Sequence, residues 1–407
     1  MIQSSSSSSA LAPAIPGATP KSFLALAMGG FGIGMTEFVI MGLLPNVAGN
    51  LNISIPIAGH VISSYALGVV IGAPLLTVIG ARYSAKSLLL FLMILFTVFN
   101  GVSALAGDYY SLMIFRFMAG LPHGAYFGVG AVVASRLAKP GKEASAVASM
   151  LTGLTIANIV GVPLGTYIGA KFGWQWAFAM VAVVGLATVL SLKAWIPALP
   201  ANPSADFKSE FKIFKNLNLW ICIIITSIGF GGFFAWISYI APMLIHETKV
   251  SEGSIPLWMI LAGVGMTAGI TVGGKLADRF SSLKSAIALM VAMMAMLLLS
   301  SFVAQNTVLT FITVFLTGLF AMAQCPPIQM LLIENSEGGE MLGSSLGQSC
   351  FNIGNSLGAF LGGLPLLMGY SYATPTIVGA LMSLVGILFA LILMKRMSAQ
   401  STAGVAR

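Results

Sequence analysis

Charge is what this sequence has least of. Only 7% of its 407 residues are Asp, Glu, Lys or Arg, against about 25% in a soluble domain. So few ionised groups cannot cover the surface of a chain this long in water, and a soluble globule is excluded. Cysteine is as scarce. Cys222, Cys325 and Cys350 all lie within apolar runs, which excludes a disulfide framework and leaves them as small buried hydrophobes. The histidines, His60, His123 and His246, share no metal-ligand spacing with acids or cysteines, so no metal and no cofactor is expected. There is no Gly-x-x-x-x-Gly-Lys-Ser/Thr loop to hold a nucleotide. Asp108, Asp206 and Asp278 fall in loops or at helix ends, so the paired intramembrane aspartates of a hydrolase are missing. The opening "MIQSSSSSSALAPAIPGATPK" lacks the basic region and apolar core of a cleaved signal peptide. Residues 1–21 are expected to form a disordered cytoplasmic tail.

What is present is apolar. Hydrophobic residues make up 57% of the chain and glycine contributes 46 positions, a pattern well tolerated in membrane helices. A membrane helix needs roughly 20 mostly apolar residues. Such runs occur near 22–47, 57–81, 87–106, 111–137, 145–169 and 175–196, then near 217–245, 257–277, 285–304, 308–333, 342–367 and 375–395. The net charge of +8 is scattered over short loops and does not form a nucleic-acid surface. This map puts Lys171 and Lys249 on one side of the membrane, Arg116 inside a helix, and every other Lys and Arg on the side of the N-terminus. By the cytoplasmic bias of basic residues, both termini are expected inside.

The segment 197–216, "PALPANPSADFKSEFKIFKN", is the one long polar connection within the chain. It divides the runs six and six, into bundles 22–196 and 217–396 with a tail at 397–407. The halves repeat at an offset of 197 residues. "ARYS" (81–84) falls on "DRFS" (278–281). Asn158, Gly161 and Gly165 fall on Asn355, Gly358 and Gly362, and Gly32 and Gly34 on Gly229 and Gly231. Three blocks at one offset indicate an internal repeat. The expected fold is an all-α membrane protein of twelve transmembrane helices in two pseudo-symmetric six-helix bundles.

Glu37, in "GIGMTEFVIMGLLPNVAGNL" (32–51), is the acid that lies well inside a span. A mid-helix carboxylate costs about 3 kcal/mol on insertion scales and should face protein or a watery cavity. It is the candidate proton carrier. The bland alternative is a protonated Glu bonded to a neighbouring helix. Arg116 is its natural counterpart, because arginine stays charged and needs an anion, carbonyls or water; alternatively it snorkels to the headgroups. His123 lies on the same helical stripe and can titrate near neutral pH, although a lone helical histidine is more often a packing residue. Asn158, Asn352 and Asn355 could bind substrate or tie helices together. Phe38, Tyr65, Tyr126, Phe234 and Trp236 could line a cavity, with the cluster at 230–239 favoured. Gly161, Pro163 and Gly165 are expected to bend helix 5 and build the moving interface between halves.

These blocks resemble known motifs. "GGKLADRFSSLK" (273–284) is similar to the Gly-x-x-x-Asp-Arg loop of the major facilitator superfamily. "RFMAGLPHGAYFG" (116–128) resembles its helix 4 motif, and "GLTIANIVGVPLG" (153–165) the helix 5 motif of its proton-coupled antiporters. "TEFVIMGLLP" with "ISSYALGVVIGAP" looks closest to the bacterial drug/proton antiporter branch that includes sugar-efflux and arabinose-efflux permeases. The first-half loop departs from the pattern, with Ala81 where relatives carry Asp. The resemblance implies a bacterial inner-membrane secondary transporter, exporting small organic solutes such as drugs, sugars or nucleoside-like compounds in exchange for protons. It further implies Arg116 near the cavity and Arg82, Asp278 and Arg279 in loop gating. Expected partners are the solute, protons and lipid, with no nucleic acid, the protein acting as a monomer. A facilitator or proton symporter is the nearest alternative; a membrane-embedded receptor or enzyme is remote.

Overall fold

The computed structural model describes residues 19–80, 83–139, 143–199, 211–336 and 340–405. Arg82, most of the expected linker and the expected N-terminal tail up to residue 18 lie outside them, as does the side chain of Asp278. Among the described residues, twelve helices are long and apolar enough to cross a membrane. They are α1 (Pro20–Asn50), α2 (Ile55–Thr77), α3 (Ala85–Ser103), α4 (Tyr109–Leu137), α5 (Ser149–Phe172), α6 (Trp174–Trp195), α7 (Leu217–Ser238), α8 (Glu252–Ala277), α9 (Ser282–Val303), α10 (Thr307–Glu334), α11 (Leu346–Leu367) and α12 (Thr374–Gln400). An all-helical solution is forced, because lipid offers no partner for an unpaired backbone N–H or C=O.

Short polar residues set the helix starts. Ser84 accepts the Ser87 N–H ahead of α3, and Ser281, at the repeat offset, accepts the Lys284 N–H ahead of α9. Asp108 opens α4 and Asn306 opens α10 in the same way. Each satisfies a backbone donor that the first helical turn leaves unpaired.

Three boundaries differ from the sequence expectation. The helix carrying α12 continues to Val405, because no proline interrupts it beyond residue 395. The α7 run is not one helix to 245: it breaks at Tyr239 and resumes as a short helix, Ile240–His246. Pro242 cannot donate to the carbonyl four residues back, so the ladder lacks a bond at Ser238, beside the break. In α5, Pro163 follows a π turn at Ala157–Gly161, which absorbs the missing bond by widening the helix.

The packing repeats as the sequence does. In the first half α1 packs on α5 and α6, α2 on α4, and α3 on α4 and α6; in the second half α7, α8 and α9 make the equivalent pairs with α10, α11 and α12. The halves meet through α2 against α11 and α5 against α8, again a matched pair of seams. Gly161 and Gly165 do not lie in those seams. They face Phe31, Met35 and Val39 of α1, as Gly358 and Gly362 face α7 within the second half. Small residues here allow close packing inside each half, so the expected role of Gly161 and Gly165 in the moving interface is corrected.

α2 and α4 approach closely, and so do α8 and α10. A Cβ at Gly68 would stand 2.1 Å from the Phe117 carbonyl, and one at Gly265, its repeat equivalent, 2.3 Å from the Phe315 carbonyl. Alanine at Gly68 or Gly265 therefore lowers the melting temperature of the purified protein, at a cost of about 1–3 kcal/mol. Alanine at Gly274, inside α8 and facing open space, should instead raise it slightly, by removing the cost of a helix-interior glycine.

Asp108 adds a pH-dependent contribution. The Ser111 N–H, then the Ser111 hydroxyl and the Tyr110 N–H, hold its carboxyl below the usual carboxylate range. A lowered folded-state value means stability that is present above the ordinary value of about 4 and is lost as pH falls through the lowered one. Asp108→Ala should reduce the melting temperature at pH 7, with the gap from wild type closing in acid.

Candidate functional site

Residues 32–44 of α1 are all buried, and two consecutive polar side chains lie among them. Successive helical residues point about 100° apart. Thr36 and Glu37 therefore serve different neighbours, one inside its own half and one across the divide.

Thr36 faces the first half. Arg116, fully buried on α4, donates from Nη1 to the Thr36 hydroxyl at 2.7 Å and from Nη2 to the Thr36 carbonyl at 3.0 Å. The same hydroxyl donates to Asn100 Oδ1 of α3, whose amide nitrogen donates to the Phe96 carbonyl. The guanidinium lies over the Tyr65 ring, 4.2 Å from its centroid, with Phe178 at 5.1 Å. Such stacking suits a weakly hydrated, delocalised cation. Arg116 Nε is buried without a partner. The sequence expectation paired Arg116 with Glu37 as opposed buried charges; the two charges do act on each other, while the hydrogen bonds of Arg116 go to Thr36. Arg116 also does not snorkel to the surface.

Glu37 faces the second half. Its Oε1 accepts from Asn355 Nδ2 of α11 at 3.3 Å, a bond between residues 318 apart in sequence. Beside it Phe38 meets Phe233 of α7, ring centroids 6.4 Å apart. Towards the end of the bundle remote from the termini, Ser63 donates to the Ser356 carbonyl at 3.0 Å and His60 packs on Phe360. Glu37 thus sits at the base of a zone where the halves are in contact.

The other candidates separate. Tyr65 is not a cavity wall: its hydroxyl lies 3.1 Å from His123 Nδ1, and both belong to the interior of the first half with Arg116. Tyr126 ties α4 to α1 by donating to the Leu26 carbonyl. Asn158 stands in the α5–α8 seam, where its carbonyl abuts Gly263. The void there, bordered by Phe38, Ile237 and Met259, measures about 10 Å³, room for no more than one water. Phe234 packs with Phe230 and Phe233 and covers Gly358. Trp236 is buried with no partner for its Nε1. Asn352 and Asn355 share a face of α11 and are both buried. Arg279 lies exposed against Phe280 at the other end of the bundle. Near it Ser282 donates to Glu334 at 2.7 Å beside a cavity of about 320 Å³. Among the described residues no cluster of three His, Cys, Asp or Glu is placed to hold a metal.

Thr36 and Asn100 were missed by sequence reasoning. Asn100, in "LFTVFNGV", is an amide inside an apolar run, the same signal that singled out Asn158. Thr36 carries no such mark, since threonine is common in spans.

Comparison with known proteins settles the family. The sequence pattern of the Major Facilitator Superfamily matches residues 26–243 and again residues 219–406. The chain belongs to the major facilitator superfamily. It is 40% identical over 365 residues to the putative transporter AraJ of Escherichia coli K12, covering 89% of this chain and 92% of that one. It is 39% identical over 362 residues to the inner membrane transport protein YdhP of the same strain, covering 88% and 92%. The chloramphenicol resistance protein of Streptomyces lividans is 27% identical over 340 residues, covering 82% and 86%. Among solved structures, the D-xylose–proton symporter superimposes with a TM-score of 0.73 at 18% identity over 92% of this chain and 96% of that one. The nucleoside transporter NupG gives 0.74 at 14% identity, over 91% and 99%. These last two share the fold. The chain is therefore a multi-pass inner-membrane secondary transporter.

The Thr36 hydroxyl serves Arg116 and Asn100 at once. Thr36→Val should cost about 1–3 kcal/mol, because it strips partners from two buried polar groups. Thr36→Ser keeps both bonds and should melt within a degree or two of wild type.

Proposed function

We propose that this transporter exports small organic solutes in exchange for protons, with Glu37 as the proton-carrying group. The observation that carries the reading is the Glu37–Asn355 hydrogen bond, which joins a carboxylate of the first half to an amide of the second across the divide. An ionised carboxylate accepts that bond more strongly than a neutral carboxyl does. The charge on Glu37 therefore alters how firmly the halves hold together at this level. A proton drives the change of state only to the extent that the two states bind it with different affinity.

Arg116 supports the scheme from within the first half. It anchors α1 through Thr36 immediately beside Glu37, and it cannot itself be deprotonated, so its field is constant. Contacts between the halves gather near His60, Ser63 and Phe360, remote from the termini. With the termini in the cytoplasm this is an outward-closed arrangement, the state from which solute loads from inside. The names of the relatives, one a putative transporter and one a resistance protein, are consistent with export. His123 and Tyr65 lie one step from Arg116 and extend the polar path into the first half.

The test measures uptake of radiolabelled chloramphenicol or a pentose into everted vesicles, with and without an imposed acid-inside pH gradient. Antiport predicts gradient-stimulated flux in wild type, and at least a tenfold loss of that stimulation in Glu37→Gln. Flux that ignores the gradient would identify a facilitator, and reversed gradient dependence a symporter.

A further inference from the structure

At the end remote from the termini, the seam between α2 and α11 closes on a histidine. His60 of the first half packs on Phe360 of the second, with ring centroids 5.9 Å apart and a tilt of 33°. Its Nδ1 lies 3.0 Å from the Tyr109 hydroxyl of α4. Both seam rings are partly exposed, so water at that end reaches the imidazole. The backbones around them are tightly fitted. The Tyr239 hydroxyl donates to the Ala359 carbonyl at 2.7 Å and occupies the space that a Cβ at Gly59 or Gly363 would need. His60 therefore keeps its contact with Phe360 for as long as α2 stays against α11.

The groups that face this imidazole are few. α4 brings the Tyr109 hydroxyl, α11 the Phe360 ring, and the Tyr239 hydroxyl at the α7 break stands against neighbouring Gly59. Asp108, the acid at the start of α4, is turned to the Tyr110 and Ser111 N–H groups and the Ser111 hydroxyl. Among the described residues no ion pair reaches His60. Hydration therefore decides where its proton is held. An imidazole titrates between about pH 5 and 8, and the charged ring carries two N–H donors. Tyr109 serves one of them in any state, since α2 and α4 belong to the same half. The other, on Nε2, has no acceptor among the described residues and depends on water. Phe360 covers the ring without offering an acceptor, and at this distance its face is at the limit of cation attraction. Covering an ionised ring disfavours the ionised form. Parting α2 from α11 restores the water, so the open seam binds the proton more tightly than the closed one.

We propose that His60 is a pH sensor for this seam: protonation from outside releases α2 from α11 and opens the outer gate. Acid populates whichever state holds the proton more tightly. The step is distinct from proton exchange at Glu37, because its proton comes from and returns to the same side. It rests on the outward-closed reading of this structure, and on nothing else in the transport scheme.

Double electron–electron resonance on the full-length protein in lipid nanodiscs tests it. Nitroxides go at Ser54→Cys, ahead of α2, and Tyr370→Cys, beyond α11, both exposed, with Cys222, Cys325 and Cys350 replaced by alanine. From about pH 8 to about pH 5.5 the ratio of long to short distances should rise on the order of tenfold, and equally in Glu37→Gln. His60→Gln, which keeps a partner for Tyr109, should stay short at both pH values, and His60→Arg should be long at both. A constant ratio in the parent, a pH response that survives in His60→Gln, or one that vanishes in Glu37→Gln would overturn the proposal. If the cysteine-free chain does not fold, hydrogen–deuterium exchange over residues 55–63, corrected for its intrinsic pH dependence, makes the same comparison in unlabelled wild type and His60→Gln. A membrane-impermeant maleimide should label Ser54→Cys in intact cells. No labelling would refute the outward-closed reading and the sensor together, while a failed His60 response in a labelled seam refutes the sensor alone.

Discussion

A guanidinium that cannot give up its charge is held in the middle of an apolar bundle, and the first half is organised around that fact. Arg116 is fully buried. Removing a cation from water is tolerable only if hydrogen bonds and polarisable surfaces replace hydration. Here the replacement comes from four neighbouring helices: Thr36 on α1, Tyr65 on α2, Asn100 on α3 through Thr36, and Phe178 on α6. Loosening any one of these helices uncovers the charge. That ties α1, α2, α3, α4 and α6 into one body, and a rigid body is what a rocking-bundle transporter must move.

Glu37 is outside that body's internal bonding even though it neighbours Thr36 in sequence. One residue along a helix turns the side chain from the interior of the first half to the junction with the second. The fixed charge stabilises a domain, and the titratable one addresses the gap between domains. Under the proposed proton exchange, separating the two would let the carboxylate change its ionisation without dismantling the scaffold that positions it.

Much of this was legible beforehand. The even helix count and the 197-residue repeat follow from hydropathy and offset matching, and the cost of charge in lipid places Glu37 and Arg116 in the buried interior. Ser84 and Ser281 capping equivalent helices, and Gly68 and Gly265 receiving equivalent carbonyls, show that the repeat is structural. Partner choice was not legible. Spacing along one helix places Thr36 and Glu37 on different faces, but does not say which face meets α4. The glycines of α5 were equally ambiguous, since small residues serve a fixed packing surface and a sliding one alike. The break at Tyr239 was not legible either, since Pro45, Pro74, Pro122 and Pro365 lie inside unbroken helices.

The repeat is faithful in backbone and unfaithful in chemistry. At the offset of 197, Thr36 and Glu37 correspond to Phe233 and Phe234; on α4 and α10, where Phe117 and Phe315 take the same place against Gly68 and Gly265, Arg116 corresponds to Val314 and His123 to Ala321. A protein assembled from two copies of residues 22–196 would place each Glu37 against the other copy's Asn158, the repeat equivalent of Asn355, and so hold two carboxylates at the junction. One assembled from two copies of the second half would bring no ionisable group there at all. Neither homodimer would hold the single carboxylate that the fused chain holds at its junction, so the dissimilarity between the duplicates is what makes that junction.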